Sequence, residues 1–304
     1  GIEVTFINDQ DNLEEWNAAV KDNTKLFFAE TIGNPKTNIL DIEGVSSVAH
    51  KNGVPLLVDN TIATPYLLNP LKHGADIVIH SATKYLGGHG QALAGAIVDG
   101  GKFEWSKSDK FPGLTSPDES YHGVNYTAAL GDAIAYIIKA RVQLLRDLGP
   151  AVAPQNAYQI LQGIDTLSIR VERHVENATQ IANWLEAHDQ VEKVNYASLE
   201  SSEFNQAAKK YAPNGIGGIL SFELVGGRAA GEKFVESLEL FKHVANFGDV
   251  RSLVVHPAST THSQLTEQQQ LEAQVSPGLV RLSVGLETAA DIIEALEQAF
   301  EAVE

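Results

Sequence analysis

The sequence predicts an α/β protein with a large, mostly parallel first domain and a smaller C-terminal α/β domain. The first part of the chain alternates compact apolar runs with segments of helical periodicity, which is typical of parallel strands joined by crossover helices. At 304 residues the chain is long enough to bury two cores. The pattern changes near residues 163–167. We therefore place the domains at residues 1–164 and 165–304.

The first domain is predicted element by element from these signals. Asp41 is expected to cap a helix that Gly53 ends, since carboxylates favour the first position and glycine the last. Residues 111–126, rich in Pro, Gly, Ser and Tyr, indicate a loop or an insertion. The predicted strands are residues 25–31, 54–58, 75–80 and 92–98, and the other predicted helices lie near residues 67–73 and 128–148.

The second domain begins with a long amphipathic helix, predicted over residues 168–188. Thr288 is expected to cap a final helix whose apolar side chains share one face. The predicted strands of this domain are residues 191–196, 219–224 and 279–284.

Composition excludes several classes of protein. The formal net charge of −17 argues against a nucleic-acid or anionic-membrane partner, because both require clustered basic residues. The absence of cysteine excludes disulfides, a thiolate nucleophile and cysteine-based metal sites. His256 and His262 are spaced poorly for a metal pair, and we expect no metal site. No transmembrane run or signal peptide is recognisable, so a cytoplasmic location is expected.

Polar side chains follow three consecutive predicted strands. Asn34 follows the first strand and Asp59 the second, while Ser81, Thr83 and Lys84 follow the third. Right-handed crossovers bring the carboxyl ends of parallel strands to one edge of a sheet, where ligands bind. We therefore expect these side chains to converge on a single crevice.

This set of groups is what pyridoxal 5'-phosphate (PLP) requires of a protein. Lys84 would form a Schiff base with the aldehyde, and Asp59 would keep the pyridine nitrogen protonated. Ser81 and Thr83 could hold the phosphate, and Asn34 the phenolic oxygen. Each residue alone has an ordinary explanation, since a lysine after a strand is usually a surface residue and an aspartate there is often a cap. The ordered combination favours the cofactor site.

Residues 58–65 and 74–89 resemble motifs of the Cys/Met-metabolism PLP enzymes, the cystathionine γ-synthase-like group of PLP-dependent transferase fold type I. The lysine motif in the second run is the most specific part of the resemblance. Further similar segments are residues 30–35, 166–174, 256–262 and 279–285.

The resemblance implies a role for each matching residue. Lys84 would be the Schiff-base lysine and proton shuttle, and Asp59 the partner of the pyridinium. Arg281 would clamp the α-carboxylate of an amino-acid substrate, a task suited to a planar guanidinium. Asn246 lies where many relatives have a serine near that carboxylate, so it is expected to contact the substrate. A homotetramer built from dimers is also implied.

Residues 117–123 and 248–253 look like segments typical of the O-acetylhomoserine sulfhydrylases within the group. The implied reaction is a γ-replacement in which sulfide or methanethiol displaces acetate from O-acetylhomoserine, giving homocysteine or methionine. Cystathionine γ-synthase or γ-lyase activity is the alternative, because those enzymes share nearly all of these residues.

Family members carry a long region upstream of the segment that matches here, and this region contributes to the phosphate site and to the neighbouring subunit. The sequence contains no such region, so we expect it to be part of a longer chain. A non-catalytic, truncated chain that keeps the fold but not the cofactor is therefore the competing hypothesis.

Overall fold

The computed structural model describes residues 1–303 and contains two β-sheets with helices packed against them. The first sheet has the order β1-β2-β3-β4, and the second has the order β5-β6-β9-β8-β7. The strands are β1 (Phe27–Glu30), β2 (Leu56–Asp59), β3 (Ile77–Ser81), β4 (Gly95–Asp99), β5 (Val191–Asn195), β6 (Ile219–Leu224), β7 (Lys242–His243), β8 (Leu253–Val255) and β9 (Leu279–Ser283).

Helices connect these strands and cover the sheets. No helix within residues 1–303 is long and apolar enough to cross a membrane. The α-helices are α1 (Leu13–Ala18), α2 (Ile42–Lys51), α3 (Thr64–Leu67), α4 (Pro112–Thr115), α5 (Tyr126–Leu130), α6 (Asp132–Lys139), α7 (Arg146–Leu148), α8 (Pro154–Asp165), α9 (Leu167–Glu186), α10 (Asn205–Tyr211), α11 (Gly227–Ser237), α12 (Glu267–Glu272) and α13 (Ala289–Val303).

The first sheet confirms the predicted mostly parallel arrangement. Strands β1, β2 and β3 run parallel, and β4 is antiparallel to β3. The register pairs Glu30 with Asp59 and Asp59 with Ile79, so the three parallel strands end at nearly the same level. The residues that follow these strands are therefore gathered at one edge of the sheet.

The second sheet is mainly antiparallel and carries its own aromatic core. Helices α9 and α11 pack against it, and α13 packs against these two helices. The rings of Phe222, Phe234 and Phe300 meet in its interior, with ring centroids of Phe234 and Phe300 4.7 Å apart. The two sheets lie on either side of the boundary that we place between residues 164 and 165, which falls in the last turn of α8. The boundary itself stays a prediction.

Several predicted elements differ in detail from the structure. The helix predicted over 128–148 is interrupted at Gly131, whose φ of 76° ends α5, and it widens into a π-helix at Ala140–Leu145. The loop predicted over 111–126 contains α4 and the start of α5. The structure also adds the short strands β7 and β8, which the sequence pattern did not predict.

Asp41 precedes α2 as predicted, but its side chain does not cap the helix. Its carboxylate instead accepts a hydrogen bond from the Tyr211 hydroxyl, contributed by α10 in the second half of the chain. The predicted side-chain cap was therefore wrong, because a tertiary partner competes with the local amide groups.

A buried asparagine organises the chain directly after β2. The Asn60 amide nitrogen donates to the carbonyl oxygens of Thr64 (3.0 Å) and Leu68 (2.9 Å). Its oxygen accepts from the Thr31 hydroxyl at 2.7 Å, which ties the ends of β1 and β2 together. Asn60 and Thr31 are fully buried. These bonds hold the segment that follows Asp59 at the sheet edge.

We expect Asn60→Ala to lower the free energy of unfolding by about 3 kcal/mol, because two buried carbonyl groups and one buried hydroxyl each lose a hydrogen bond. Urea unfolding followed by circular dichroism measures this change. Asn183→Ala is the matched control, since that exposed side chain donates to the Thr179 carbonyl of its own helix and should change stability by less than about 0.5 kcal/mol. Equal losses in the two variants would contradict the assignment.

Candidate active site

Asp59 is held at the end of β2 by a threonine two residues later. Its Oδ1 accepts hydrogen bonds from the Thr61 backbone amide (2.9 Å) and from the Thr61 hydroxyl. The same hydroxyl oxygen accepts from the Ser81 backbone amide at 2.8 Å. Thr61 thus joins the carboxylate to the lysine-bearing turn. It was not among the predicted site residues, although the Asp-x-Thr spacing is a recognisable signal for such a turn.

The surroundings of Asp59 contain two more ionisable groups. Desolvation and the charge of Asp59 raise the pKa of Glu30, its neighbour in the sheet register. Burial lowers the pKa of His80, an effect partly opposed by the charge of Asp59. Both shifts favour the neutral forms of Glu30 and His80.

The Lys84 amine lies in a partly buried pocket formed by the chain after β7. It donates to the Asn246 side-chain oxygen and lies 4.6 Å from the centroid of the Phe247 ring. Burial, and then the nearby charge of Arg281, lower the pKa of Lys84. A lowered pKa enlarges the neutral fraction of the amine, which is the form that acts as a nucleophile.

Arg281 on β9 connects this pocket to the end of β1. Its guanidinium donates from Nη2 to the Asn246 carbonyl (2.9 Å) and from Nη1 to the Asn34 side-chain oxygen (3.3 Å). Its Nε is buried and has no hydrogen-bond partner among the described residues. The structure thus brings Lys84, Asn246, Arg281 and Asn34 together, and the guanidinium keeps donor capacity for an anion.

The two predicted phosphate ligands are placed differently. The Thr83 hydroxyl donates to the Ala94 carbonyl (3.3 Å) and accepts from the Ala94 amide (3.1 Å), so it ties the lysine turn to the segment before β4. Ser81 lies on the same face of the sheet as Asp59, and its hydroxyl forms no side-chain hydrogen bond within residues 1–303. Ser81 is therefore the freer of the two donors.

The histidines considered as metal ligands are engaged elsewhere. The two ring nitrogens of His256 bond to the Ser259 hydroxyl and the Pro277 carbonyl, each at 2.8 Å. No group of three or more His, Cys, Asp or Glu side chains suited to a metal ion occurs in the described part of the chain.

Tyr85, which lies in the lysine turn, forms a fully buried pair of rings with His174. The Tyr85 hydroxyl accepts from the Gly218 amide at 3.1 Å, and its ring meets the edge of His174 with centroids 5.1 Å apart. His174 Nδ1 donates to the Val284 carbonyl at 2.6 Å. Burial lowers the pKa of His174 to about 4, so the ring is neutral at pH 7.

The model of the family described as Cys/Met metabolism PLP-dependent enzyme matches residues 1–301. An O-acetyl-L-homoserine sulfhydrylase from Leptospira meyeri is 52% identical over 98% of this chain and 69% of its own length. One from Corynebacterium glutamicum is 50% identical over 100% of this chain and 70% of its own length. A homocysteine/cysteine synthase from Saccharomyces cerevisiae is 45% identical with the same two coverages as the Corynebacterium protein.

A solved structure supports the same relationship in three dimensions. An O-acetylhomoserine (thiol)-lyase from Campylobacter jejuni is 40% identical, with a TM-score of 0.91 over 96% of this chain and 70% of that one. Its crystal structure contains N'-pyridoxyl-lysine-5'-monophosphate, a lysine that carries the cofactor. The fold predicted from the sequence, PLP-dependent transferase fold type I, is confirmed by this likeness.

The residues at the sheet edge fit PLP. Lys84 offers an amine with a lowered pKa for the aldehyde. One carboxylate oxygen of Asp59 is held by Thr61, while the other makes no hydrogen bond to any described residue and can face the pyridine nitrogen. The unpartnered Nε of Arg281 leaves the site with a cationic donor for a carboxylate.

We expect His174 to make stability pH-dependent between its ordinary value of 6.5 and its folded value of about 4. In this window the unfolded chain binds a proton that the folded chain excludes, so stability falls as pH decreases, by up to about 3 kcal/mol. Urea unfolding at several pH values should show a smaller decline in His174→Gln than in the wild type. Parallel pH profiles of the two proteins would refute this contribution.

Proposed function

Because the chain belongs to the Cys/Met metabolism PLP-dependent enzyme family, we propose that it catalyses a γ-replacement on O-acetylhomoserine. Sulfide or methanethiol displaces acetate from the γ-carbon and gives homocysteine or methionine. The observation that carries the proposal is the Lys84 amine, held between Asn246, Phe247 and Arg281 beside the strand end that bears Asp59. The names of relatives 45–52% identical to this chain support the choice of substrate.

The proposed catalytic residue is Lys84. Its Nζ would attach the cofactor through the aldehyde, and the same amine would take up the proton from the substrate α-carbon and act as the proton shuttle. Bound PLP supplies an electron sink for the charge that develops at the α-carbon. The lowered pKa of Lys84 suits this work, since a base is most effective near the operating pH.

The remaining assignments concern binding. Asp59 would keep the pyridine nitrogen protonated, and Thr61 orients its carboxylate. Asn34 would contact the ring hydroxyl, and Ser81 and Thr83 the phosphate. Each of these roles is inferred from the hydrogen-bonding chemistry of the side chain.

The substrate carboxylate is assigned to the other side of the pocket. Arg281 would bind it through a planar pair of N–H donors. Asn246 would contact the same carboxylate, because its carbonyl already orients the guanidinium and its side chain faces Lys84.

The loop that carries Asn246 is hydrogen-bonded to the chain just after Lys84. The Val250 amide donates to the Gly88 carbonyl at 2.8 Å, and Arg251 donates to the His89 carbonyl at 3.2 Å. Arg251 also forms a two-pronged ion pair with the buried Asp249. These contacts close one side of the Lys84 pocket and hold the proposed carboxylate-binding residues in place.

We also propose a homotetramer in the cytoplasm as the working form of the protein. The support for this assembly is the family resemblance. Light scattering after size-exclusion chromatography measures the mass of the assembly.

Purified protein supplied with PLP should be yellow, and borohydride should trap a covalent PLP adduct on Lys84, located by peptide mass mapping. Lys84→Ala should lose the adduct and lower α-proton exchange of the substrate by at least about 1,000-fold, because the amine is both attachment point and base. Lys72→Ala, on the surface, is the control. A colourless protein that gains no colour with PLP would favour the non-catalytic hypothesis for this chain.

The acceptor is tested with O-acetylhomoserine and either sulfide or cysteine. Sulfide should give homocysteine and acetate in equal amounts. Turnover with cysteine and none with sulfide would instead support a cystathionine γ-synthase, and release of ammonia and an oxoacid without any acceptor would support a γ-lyase.

Arg281→Lys should raise the KM for O-acetylhomoserine by about 10- to 100-fold, because an ammonium cannot reproduce the paired donors that face a carboxylate. The kcat should change less than the KM. Arg228→Lys, at an exposed ion pair with Glu232, is the matched control and should leave both constants unchanged. An unchanged KM in Arg281→Lys would refute the carboxylate assignment.

A further inference from the structure

Lys84 lies in a hydrogen-bonded turn, residues 82–87, that follows β3. The Lys84 amide donates to the Ser81 carbonyl (3.1 Å), and the Gly87 amide donates to the Ala82 carbonyl (2.9 Å). The turn ends at Gly88, whose φ is 76°. The carbonyl groups at the end of this turn accept no backbone hydrogen bond among the described residues, so they need donors from elsewhere.

One buried arginine supplies these donors. Arg170 on α9 donates from Nη2 to the carbonyls of Tyr85 (2.9 Å) and Gly163 (2.6 Å), with a longer contact to Leu86 (3.4 Å). Its Nε donates to the Thr166 hydroxyl at 3.2 Å. Its side chain therefore joins the lysine turn, the end of α8 and the start of α9.

The charge of Arg170 is buried without an acidic partner. The residue is 6% exposed, and no ion pair joins it to a carboxylate within residues 1–303. Burial lowers the pKa of Arg170, although a guanidinium remains charged. Placing a charge there costs stability unless oxygen dipoles compensate it, and the carbonyl groups at the end of the lysine turn provide them.

Two glycines make this close approach possible. A Cβ at Gly88 would overlap Nη1 of Arg170, and a Cβ at Gly163 would overlap the carbonyl oxygens of Leu86 and Gly87. Helix α8 therefore contacts the backbone of the lysine turn directly at Gly163, and Gly88 leaves room for the Arg170 guanidinium.

We propose that Arg170 is a positioning residue that caps the lysine turn and thereby holds the Lys84 amine between Asn246 and Arg281. The inference rests on the proposed role of Lys84. It also gives a function to the segment 166–174, which resembles the family but contains none of the proposed catalytic or binding residues. A lysine could not replace Arg170 fully, because one ammonium cannot reach three carbonyls and a hydroxyl from a fixed plane.

The test measures the titration of Lys84 in the cofactor-free chain. Competitive acetylation across pH, read by mass mapping of the Lys84 peptide, gives the midpoint pH at which the amine becomes reactive. In Arg170→Gln the turn should loosen, so Lys84 gains water and moves away from the charge of Arg281. The midpoint should rise by about 0.5 to 1 pH unit towards that of a free lysine. Arg170→Lys should rise less, because it keeps one donor.

The matched control is Arg173→Gln on the same helix, where the exposed arginine contacts only Glu176 among the described residues. This variant should keep the wild-type midpoint. An arginine that only stabilised the fold would lower the unfolding temperature in Arg170→Gln but leave the Lys84 midpoint where it is in the wild type. That result, in a variant with wild-type circular dichroism, would overturn the proposal.

If Arg170→Gln does not fold, the comparison of Arg170→Lys with the wild type decides, and an unchanged midpoint in Arg170→Lys overturns the proposal. None of these measurements needs bound PLP. Failure of the wild-type chain to bind PLP would therefore count against the proposed function without altering the result for Arg170.

Discussion

Two basic side chains, Lys84 and Arg281, lie close together in a partly buried site, and the hydrogen-bond acceptors that they meet among the described residues are neutral oxygens of Asn246 and Asn34. Burial lowers the pKa of both, and the charge of Arg281 further lowers that of Lys84. Two such positive charges repel each other, and an anion between them offsets that cost. The rest of the structure serves to maintain this arrangement.

The two cations come from opposite halves of the chain, so the site depends on contacts between the sheets. The Ser221 hydroxyl on β6 donates to the Pro35 carbonyl at 2.9 Å, and the Ala197 amide donates to the Thr37 hydroxyl at 3.1 Å. The Tyr85 hydroxyl accepts from Gly218. Each of these bonds joins the edge of the first sheet to the second half of the chain. Loosening them would separate Lys84 from Arg281 and remove the electrostatic coupling that lowers the pKa of the amine.

Much of this arrangement could be predicted from local sequence. Apolar runs followed by polar residues indicate strand ends, and parallel topology brings those ends together, which places Asp59 and the Lys84 turn at one edge. Long-range partners were beyond such reasoning. Asp41 was expected to cap α2 because its local signal is strong, whereas its actual partner, Tyr211, is 170 residues away. Arg170 contacts Tyr85, which is 85 residues away in the sequence, and the hydrophobic periodicity of the sequence gives no indication of that contact.

Short elements were missed for a related reason. Strand β8 has three residues and β7 two, too few for an alternating pattern to stand out from chance. Their positions are nevertheless important, because the chain between them carries Asn246 and Phe247 to the Lys84 pocket. Gly248 allows this approach, with a φ of 75° and no space for a Cβ beside the Tyr85 amide. The geometry of the pocket thus depends on backbone contacts that side-chain patterns do not encode.

The charge distribution sets a final requirement for substrate capture. A chain with a formal net charge of −17 repels anions at a distance, whereas the role that we propose for Arg281 is to bind a substrate carboxylate. In physiological salt, surface charges are screened over about 8 Å, whereas interactions inside a partly buried site are screened much less. In the proposed site, the electrostatic attraction between Arg281 and a carboxylate would therefore be short-ranged and confined to the pocket. Recognition then depends on how Arg281 and Lys84 are held, and less on the field of the whole molecule.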